Sequence, residues 1–164
     1  MSYQAIMILK KKFSSNTLKE NGPIIQVKLT SSKKNADIDY YNNVQEKSVI
    51  VNALIDTGAT HSLIDLTILN EEIEIEKTIF HINMRFPTIS GENLPVYKVG
   101  VDLLHDNLSD INSSMDTLVG LMDLSIFEIP EISLKMLIGR DVLSRCIFTY
   151  NGLDDTFSID YKVN

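Results

Sequence analysis

The sequence has little of several features that mark specialised classes of protein. Its 164 residues include a single cysteine, Cys146, which excludes a framework of intrachain disulfides. The 15 basic residues are outnumbered by 22 acidic ones, and the net charge of −7 disfavours a nucleic-acid partner, because phosphate binding needs a basic surface. No segment approaches the roughly 18 consecutive apolar residues that span a bilayer, so we expect no membrane partner.

The N-terminus lacks the order of features found in a signal peptide. Its apolar run is only about five residues long, and its lysines follow that run instead of preceding it. We therefore expect a cytoplasmic protein. The length suits one globular domain, which we place at residues 23–164, after an N-terminal strand or arm at residues 1–22. The sequence leaves open whether that segment joins a sheet between subunits.

The chain does contain many short apolar segments that alternate with polar residues, and few that keep a helical period. Alternation of this kind is typical of strands with one wet face. Alternation and short apolar runs together predict strands at residues 5–9, 23–30, 48–55, 74–84, 96–104 and 132–138. The sequence also predicts a closing hairpin around residues 151–152 and a short helix at residues 140–146. The sequence therefore predicts an all-β domain with one or two short helices.

One predicted strand ends in a carboxylate. The apolar residues 49–51 and 53–55 lead directly to Asp56, and Gly58 follows two positions later. A carboxylate delivered by a buried strand loses much of its hydration, a cost met mainly where the group is paired, hydrogen-bonded or used in chemistry. Gly58 allows the backbone to turn sharply and another chain or ligand to approach closely.

The segment Asp-Thr-Gly-Ala at residues 56–59 resembles the catalytic loop of the retropepsin-like aspartic proteases. A second segment, Leu-Ile-Gly-Arg-Asp at residues 137–141, is similar to the second signature of that family, an apolar strand followed by Gly-Arg-Asp and a short helix. The resemblance covers about residues 23–161. It implies a closed β-barrel of the acid-protease fold and an aspartic endopeptidase that needs no cofactor and no metal.

The catalytic chemistry of such an enzyme needs two carboxyl groups that share one proton. One member activates water and the other protonates the peptide carbonyl. Because the chain holds one Asp-Thr-Gly segment, the resemblance implies a homodimer in which each subunit contributes Asp56, with an extended peptide or protein as substrate.

The resemblance also assigns roles around Asp56. Thr57 would brace the two loops across the dimer, the backbone of Gly58 would contact the substrate, and Ala59 would keep the cleft open. Three residues of the second signature would support the loop: Gly139, Arg140 and Asp141.

Position 60 departs from the viral members of the family, which usually carry an acid there that pairs with the arginine of the second signature. Here the residue is Thr60, so we expect Arg140 to pair with another acid, Asp141 or Asp65 among them. We favour a structural ion pair over a substrate contact for Arg140.

Closure over the substrate is expected from a hairpin between the two signatures. The polar segment Ser90, Gly91, Glu92 and Asn93 lies between two predicted strands and is the candidate flap, with an ordinary hairpin turn as the alternative. For the whole chain, the alternative to an enzyme is a non-catalytic dimerisation or peptide-binding module of the same fold. Asp102, His105 and Asp106 are close in sequence, but we interpret them as solvated residues and not as metal ligands.

Overall fold

The computed structural model describes residues 6–12, 17–31, 48–70, 76–84, 92–104, 115–127 and 129–162. Within them the backbone forms ten strands: β1 (Ile6–Lys12), β2 (Ile24–Ser31), β3 (Ser48–Ile55), β4 (Leu63–Asp65), β5 (Glu76–Met84), β6 (Glu92–Leu103), β7 (Met115–Met122), β8 (Leu134–Ile138), β9 (Cys146–Asn151) and β10 (Thr156–Lys162). Two short α-helices, α1 (Thr17–Asn21) and α2 (Arg140–Leu143), and two 3₁₀ turns, Leu66–Asn70 and Leu124–Ile126, complete the described elements.

Six strands close into a barrel in the order β2-β3-β8-β4-β7-β6, because β6 pairs back onto β2. β3 and β8 run parallel, as do β4 and β7, and the other neighbours are antiparallel. β5 pairs with β6 outside the ring. The predicted all-β fold, a closed barrel with short helices, is confirmed.

A second sheet of three strands, in the order β1-β10-β9, joins the two ends of the chain. Ile6 lies opposite Lys162, and Lys12 lies opposite Thr156. The N-terminal strand therefore pairs with the last strand of its own chain. No helix in the described part of the chain is long and apolar enough to cross a membrane.

The barrel interior follows from alternation along its strands. In β3, Val51, Ala53 and Ile55 are buried, while the intervening Asn52 and Leu54 are only half-buried. The inward residues pack with apolar side chains from the neighbouring strands, among them Val27, Leu29, Val99, Val101, Met136 and Ile138. Leu54 instead packs against a smaller cluster formed by Leu63, Leu124, Leu134 and Leu137. One face of β3 thus fills the barrel, and the other carries a separate apolar layer.

Several predicted elements are confirmed, and others need correction. The strand at residues 48–55 and the hairpin of β9 and β10 have the predicted positions. The strand predicted from residue 96 begins at Glu92, because β6 continues through Pro95 to pair with β5. The helix predicted at residues 140–146 ends at Leu143, and α1 was not predicted.

Candidate active site

Two parallel strands place the candidate catalytic loop. β3 and β8 end side by side, with Ile55 opposite Ile138, and the backbone N–H of Asp56 donates to the carbonyl of Ile138 over 2.9 Å. The N–H of Ile55 donates to the Pro23 carbonyl on the other side of β3, over 3.0 Å. Parallel pairing brings both signature segments to the same end of the barrel, although about 80 residues separate them in sequence.

The Asp56 carboxylate is half-buried, and its two oxygens have different surroundings. Oδ1 accepts hydrogen bonds from the backbone N–H of Gly58 over 2.8 Å and from that of Ala59 over 3.2 Å. Oδ2 accepts no hydrogen bond from the described residues. The turn therefore fixes the orientation of the side chain while leaving one oxygen available to a water molecule or a ligand.

Because Gly58 has no side chain, the space next to the Asp56 carboxylate is free of a Cβ atom. A Cβ atom at this position would lie 3.1 Å from Asp56 Oδ1, a tight approach to the oxygen that the loop itself positions. Thr57 and Gly58 are exposed and Ala59 is half-buried, so the loop presents itself to solvent. The bracing role expected for Thr57 would be a contact between two subunits, so a single chain cannot show it.

The second signature holds the loop from behind. The N–H of Arg140 donates to the Ala59 carbonyl over 2.9 Å, and the N–H of Asp141 donates to the Thr60 carbonyl over 3.3 Å. The Arg140 guanidinium donates to the Thr60 hydroxyl over 2.8 Å. These bonds fix the far end of the turn that begins at Asp56.

The pairing of Arg140 with Asp141 or Asp65 is wrong. The Arg140 guanidinium donates to the neutral hydroxyl of Thr60, and within the described residues no carboxylate forms a salt bridge with it. Asp141 and Asp65, the acids considered as partners, are each engaged elsewhere. Threonine at position 60 therefore supplies an acceptor to the arginine without supplying a charge.

Asp141 is bound to a serine that sequence reasoning did not single out. Its Oδ2 accepts from the backbone N–H of Ser62 over 2.9 Å, and its Oδ1 accepts from the Ser62 hydroxyl over 2.7 Å and from the Val142 N–H over 2.9 Å. The same hydroxyl accepts from the N–H of Gly139 over 3.0 Å. Ser62 is fully buried, and its polarity within an apolar segment was the only signal in the sequence.

Gly139 is required by close packing against the chain that follows the loop. A Cβ atom there would lie 2.6 Å from the carbonyl carbon of His61 and 2.7 Å from its oxygen. Both are backbone atoms that cannot move away cheaply, so any larger residue at this position would push the two signature segments apart.

A second aspartate, Asp65, lies at the end of β4 and is only 3% exposed. Its Oδ1 accepts from the Thr67 N–H and hydroxyl and from Lys135 Nζ, which lies 3.1 Å away, while Oδ2 accepts from the Leu124 N–H over 2.8 Å. Burial raises the pKa of Asp65, but the hydrogen bonds from Thr67, Leu124 and Lys135 outweigh it and lower the pKa from 3.8 to about 2.

Two cavities lie among the described residues, away from the residues that contact the Asp56 carboxylate. One, of about 320 Å³, is lined by His61, Lys98, Asp116, Thr117, Leu118 and Asp141. The other, of about 250 Å³, lies beside Asp65 and Lys135.

The candidate flap is only partly within the described residues. Ser90 and Gly91 lie outside them. Glu92 and Asn93 are the first residues of β6 and lie opposite Met84 and Asn83 of β5. The connection of this hairpin is therefore residues 85–91, so Glu92 and Asn93 belong to its stem and not to its tip.

No group of three or more histidine, cysteine, aspartate or glutamate side chains suited to a metal ion occurs in the described part of the chain. Of the three residues considered for a metal in the sequence, Asp102 is on β6, and His105 and Asp106 lie outside the described residues.

Comparison with known proteins gives a distant structural likeness. No family model matches the sequence, and no curated protein matches it. Among solved structures, the chain is similar to a retropepsin-like aspartic protease from Rickettsia conorii, with a TM-score of 0.41 and 15% sequence identity over 99% of this chain and 98% of that one. A likeness at this level decides neither family nor activity, so function has to be inferred from the geometry around Asp56.

Proposed function

We propose that this chain is an aspartic endopeptidase that works as a homodimer, with Asp56 of each subunit forming the catalytic pair. The observation that supports it most directly is the state of the Asp56 carboxylate. Its Oδ1 is fixed by two backbone N–H groups, and its Oδ2 has no partner among the described residues. A half-buried carboxylate held in this way is oriented for chemistry without being consumed by a structural role.

The reaction would use one water molecule and two carboxyl groups, one ionised and one protonated. The ionised group takes a proton from water as the water oxygen bonds to the carbonyl carbon, and the protonated group gives its proton to the carbonyl oxygen. The tetrahedral intermediate then collapses, the C–N bond breaks, and a proton passes to the leaving nitrogen. The chain supplies one such carboxyl at this loop, so the second has to come from another copy.

The surface around Asp56 supports a second copy. Thr57 and Gly58, the two residues that follow Asp56, are exposed in the single chain. A pair of identical loops meeting across a two-fold axis would enclose the carboxylates and exclude water from the reacting bond. The substrate would lie extended over them as an added strand, covered by a flap at the β5–β6 hairpin that includes Ser90 and Gly91 and has Glu92 and Asn93 in its stem.

The backing residues would serve as positioning residues in this proposal. Gly139 allows the close approach of the two segments, Arg140 holds the loop at Ala59 and Thr60, and Asp141 holds it through Ser62. None of the three bonds directly to the Asp56 carboxylate.

The test is cleavage of an unfolded protein substrate by wild type and by Asp56→Asn, measured from acid to neutral pH. We expect Asp56→Asn to lower kcat/KM by about 10³-fold or more, since a neutral amide can neither take nor share the proton. The matched control is Asp154→Asn, an exposed aspartate of the β9–β10 hairpin, which we expect to leave cleavage unchanged.

Two results would contradict the proposal. One is cleavage that survives Asp56→Asn. The other is a folded wild-type dimer that cleaves no unfolded substrate at any pH, and this result would favour the non-catalytic dimerisation or peptide-binding module.

A further inference from the structure

We propose that the Arg140 guanidinium binds a carboxylate of the substrate, so that the enzyme prefers peptides with an acidic residue a few positions from the cleaved bond. This inference rests on the proposed function and deepens it, because it names the class of peptide that the Asp56 site takes. Arg140 is the first residue of α2, directly behind the loop, and it is exposed.

Backbone hydrogen bonds fix the place from which this side chain extends. The Arg140 N–H donates to the Ala59 carbonyl over 2.9 Å, and the Arg140 carbonyl accepts from the Ser144 N–H over 2.8 Å. The Ala59 N–H in turn donates to Asp56 Oδ1 over 3.2 Å. One residue, Ala59, therefore connects Arg140 to the carboxylate that we propose as catalytic.

The guanidinium has more donors than its contact with Thr60 can use. Arginine presents five N–H donors in a planar fork that matches the two oxygens of a carboxylate. Arg140 Nη2 lies 2.8 Å from the Thr60 hydroxyl, a neutral acceptor that leaves the positive charge in place. Thr60 and Arg140 are both exposed, so the charge faces solvent beside the loop. A carboxylate arriving there can accept two parallel hydrogen bonds.

The acid next in sequence does not balance this charge. Neighbouring positions on a helix do not face each other, and Asp141 turns both of its oxygens to Ser62 and Val142. The loop itself adds no acid after Asp56, since residues 57–61 are Thr-Gly-Ala-Thr-His. A peptide crossing this loop therefore passes a segment that is neutral along its length and positive at Arg140.

The distance from the Asp56 carboxylate sets the position of the acidic residue in the peptide. The contacts that run from Asp56 Oδ1 through Ala59 and Thr60 limit its distance from the guanidinium to about 13 Å. An extended peptide advances about 3.3 Å per residue, so the acidic residue lies about two to four residues from the cleaved bond. In the proposed two-fold dimer each subunit supplies one Arg140, so we expect one preferred position before the bond and one after it.

The net charge gives this preference a distinctive sign. At −7, the whole chain repels an acidic peptide, so without Arg140 we expect such a peptide to be cleaved no faster than its neutral counterpart. A preference for glutamate runs against this overall repulsion, and it can therefore be traced to one side chain.

The experiment compares kcat/KM for pairs of peptides that differ only in glutamate or glutamine at one position. The pairs are based on a site that the enzyme cleaves in an unfolded protein, and the position is scanned along both sides of the bond. The assay is run above about pH 5, where glutamate is ionised. We expect wild type to prefer glutamate about tenfold at one position on each side.

Arg140→Gln should abolish this ratio, and Arg140→Glu should reverse it, so that lysine at the same position is preferred to glutamine. A role in positioning alone would lower kcat/KM equally for both members of every pair and would leave the ratio unchanged. Thr60→Asp retains the arginine but supplies it with a carboxylate from the loop, and we expect it to reduce the ratio to below about threefold.

Arg145→Gln is the matched control. Arg145 follows α2, is exposed, and donates to the Asp116 carbonyl over 3.3 Å, so the substitution removes the same charge away from the loop. We expect it to leave the ratio within about twofold of wild type, because solvent and salt screen an exposed charge at this position.

Peptide binding provides a second measurement that needs no turnover. Fluorescence anisotropy gives the Kd of Asp56→Asn for a labelled extended peptide with one glutamate and for its glutamine counterpart, at about pH 7. We expect the glutamate peptide to bind about tenfold more tightly, and we expect the difference to vanish when Arg140→Gln is added.

The outcomes separate this inference from the proposed function. Cleavage with no preference for glutamate, or with a preference that Arg140→Gln leaves unchanged, overturns the inference and leaves the proposed function standing. A wild-type chain that cleaves nothing contradicts the proposed function, while binding that prefers glutamate through Arg140 would still support the carboxylate site. If Arg140→Gln raises the dimer dissociation constant and affects all peptides equally, the guanidinium serves the contact between subunits and the inference is overturned.

Discussion

Asp56 and Asp65 are two carboxylates of one chain, nine residues apart, in opposite surroundings. Asp65 is buried, both of its oxygens accept hydrogen bonds, and Lys135 balances its charge. Asp56 is half-buried and receives two backbone N–H groups at one oxygen, and within the described residues it has no cation beside it. Both oxygens of Asp65 accept hydrogen bonds, whereas within the described residues only one oxygen of Asp56 does.

Under the proposed function, this difference separates the structural role of Asp65 from the catalytic role proposed for Asp56. Asp65 connects β4, Leu124 and β8 through its hydrogen bonds, so its contribution is to stability. Asp56 uses only one of its two carboxylate oxygens in hydrogen bonds with the described residues, and the proposed function requires such an available oxygen for proton exchange. Asp141 resembles Asp65 in this respect, because Ser62 and Val142 occupy both of its oxygens.

The same substitution at both positions tests most sharply whether Asp65 and Asp56 have different roles. We expect Asp65→Asn to lower the free energy of unfolding at neutral pH by about 2–3 kcal/mol, because Lys135 and the Leu124 N–H lose their anionic acceptor. Asp56→Asn should change it by less than about 1 kcal/mol. Urea unfolding measures both values, and cleavage per folded molecule should be retained in Asp65→Asn.

The pH dependence of stability follows from the same group. The pKa of Asp65 is about 2 in the folded chain and 3.8 ordinarily, so the unfolded chain binds this proton more tightly. The stabilisation is therefore present above about pH 4 and is lost as the pH falls toward 2. Wild type should lose about 2–3 kcal/mol across this window through Asp65, and Asp65→Asn should lack this part of the decline. Parallel acid-unfolding curves for the two proteins would contradict the assignment.

A smaller effect is expected from the lysine partner. Lys135→Met removes the cation but leaves Asp65 with three hydrogen bonds from Thr67 and Leu124, so we expect a loss of about 1–2 kcal/mol in unfolding free energy. The control is Lys98→Met, which breaks the exposed ion pair with Asp116, 3.2 Å apart, and should cost less than about 1 kcal/mol. Equal losses in the two variants would show that burial does not distinguish these pairs.

The local part of this structure was predictable from the sequence. The apolar run in residues 48–55 predicted β3, and the Asn-Gly turn at residues 151–152 predicted the last hairpin, because both signals depend on neighbouring residues alone. β6 was harder, since Pro95 and the polar residues before it suggested a turn. Pairing with β5 carries the strand through them.

The partners of charged and polar groups were not predictable, because they depend on contacts between distant segments. Asp65 and Lys135 are 70 residues apart, and Ser62 and Asp141 are 79 apart. The two residues of each pair become neighbours only in the folded barrel, so the sequence around either residue does not identify its partner. The same limit explains why Asp141 and Asp65 were wrong as partners of Arg140, whose guanidinium donates to the Thr60 hydroxyl.

The central claim is that one active centre needs Asp56 from two chains, and subunit mixing tests it most directly. Equal amounts of wild type and Asp56→Asn are unfolded together, refolded, and assayed well above the dimer dissociation constant. Random pairing makes about one quarter of the dimers fully wild type, so we predict about one quarter of the cleavage rate of the same total amount of wild type. A rate of about one half would mean that each chain works alone, and it would contradict the shared pair.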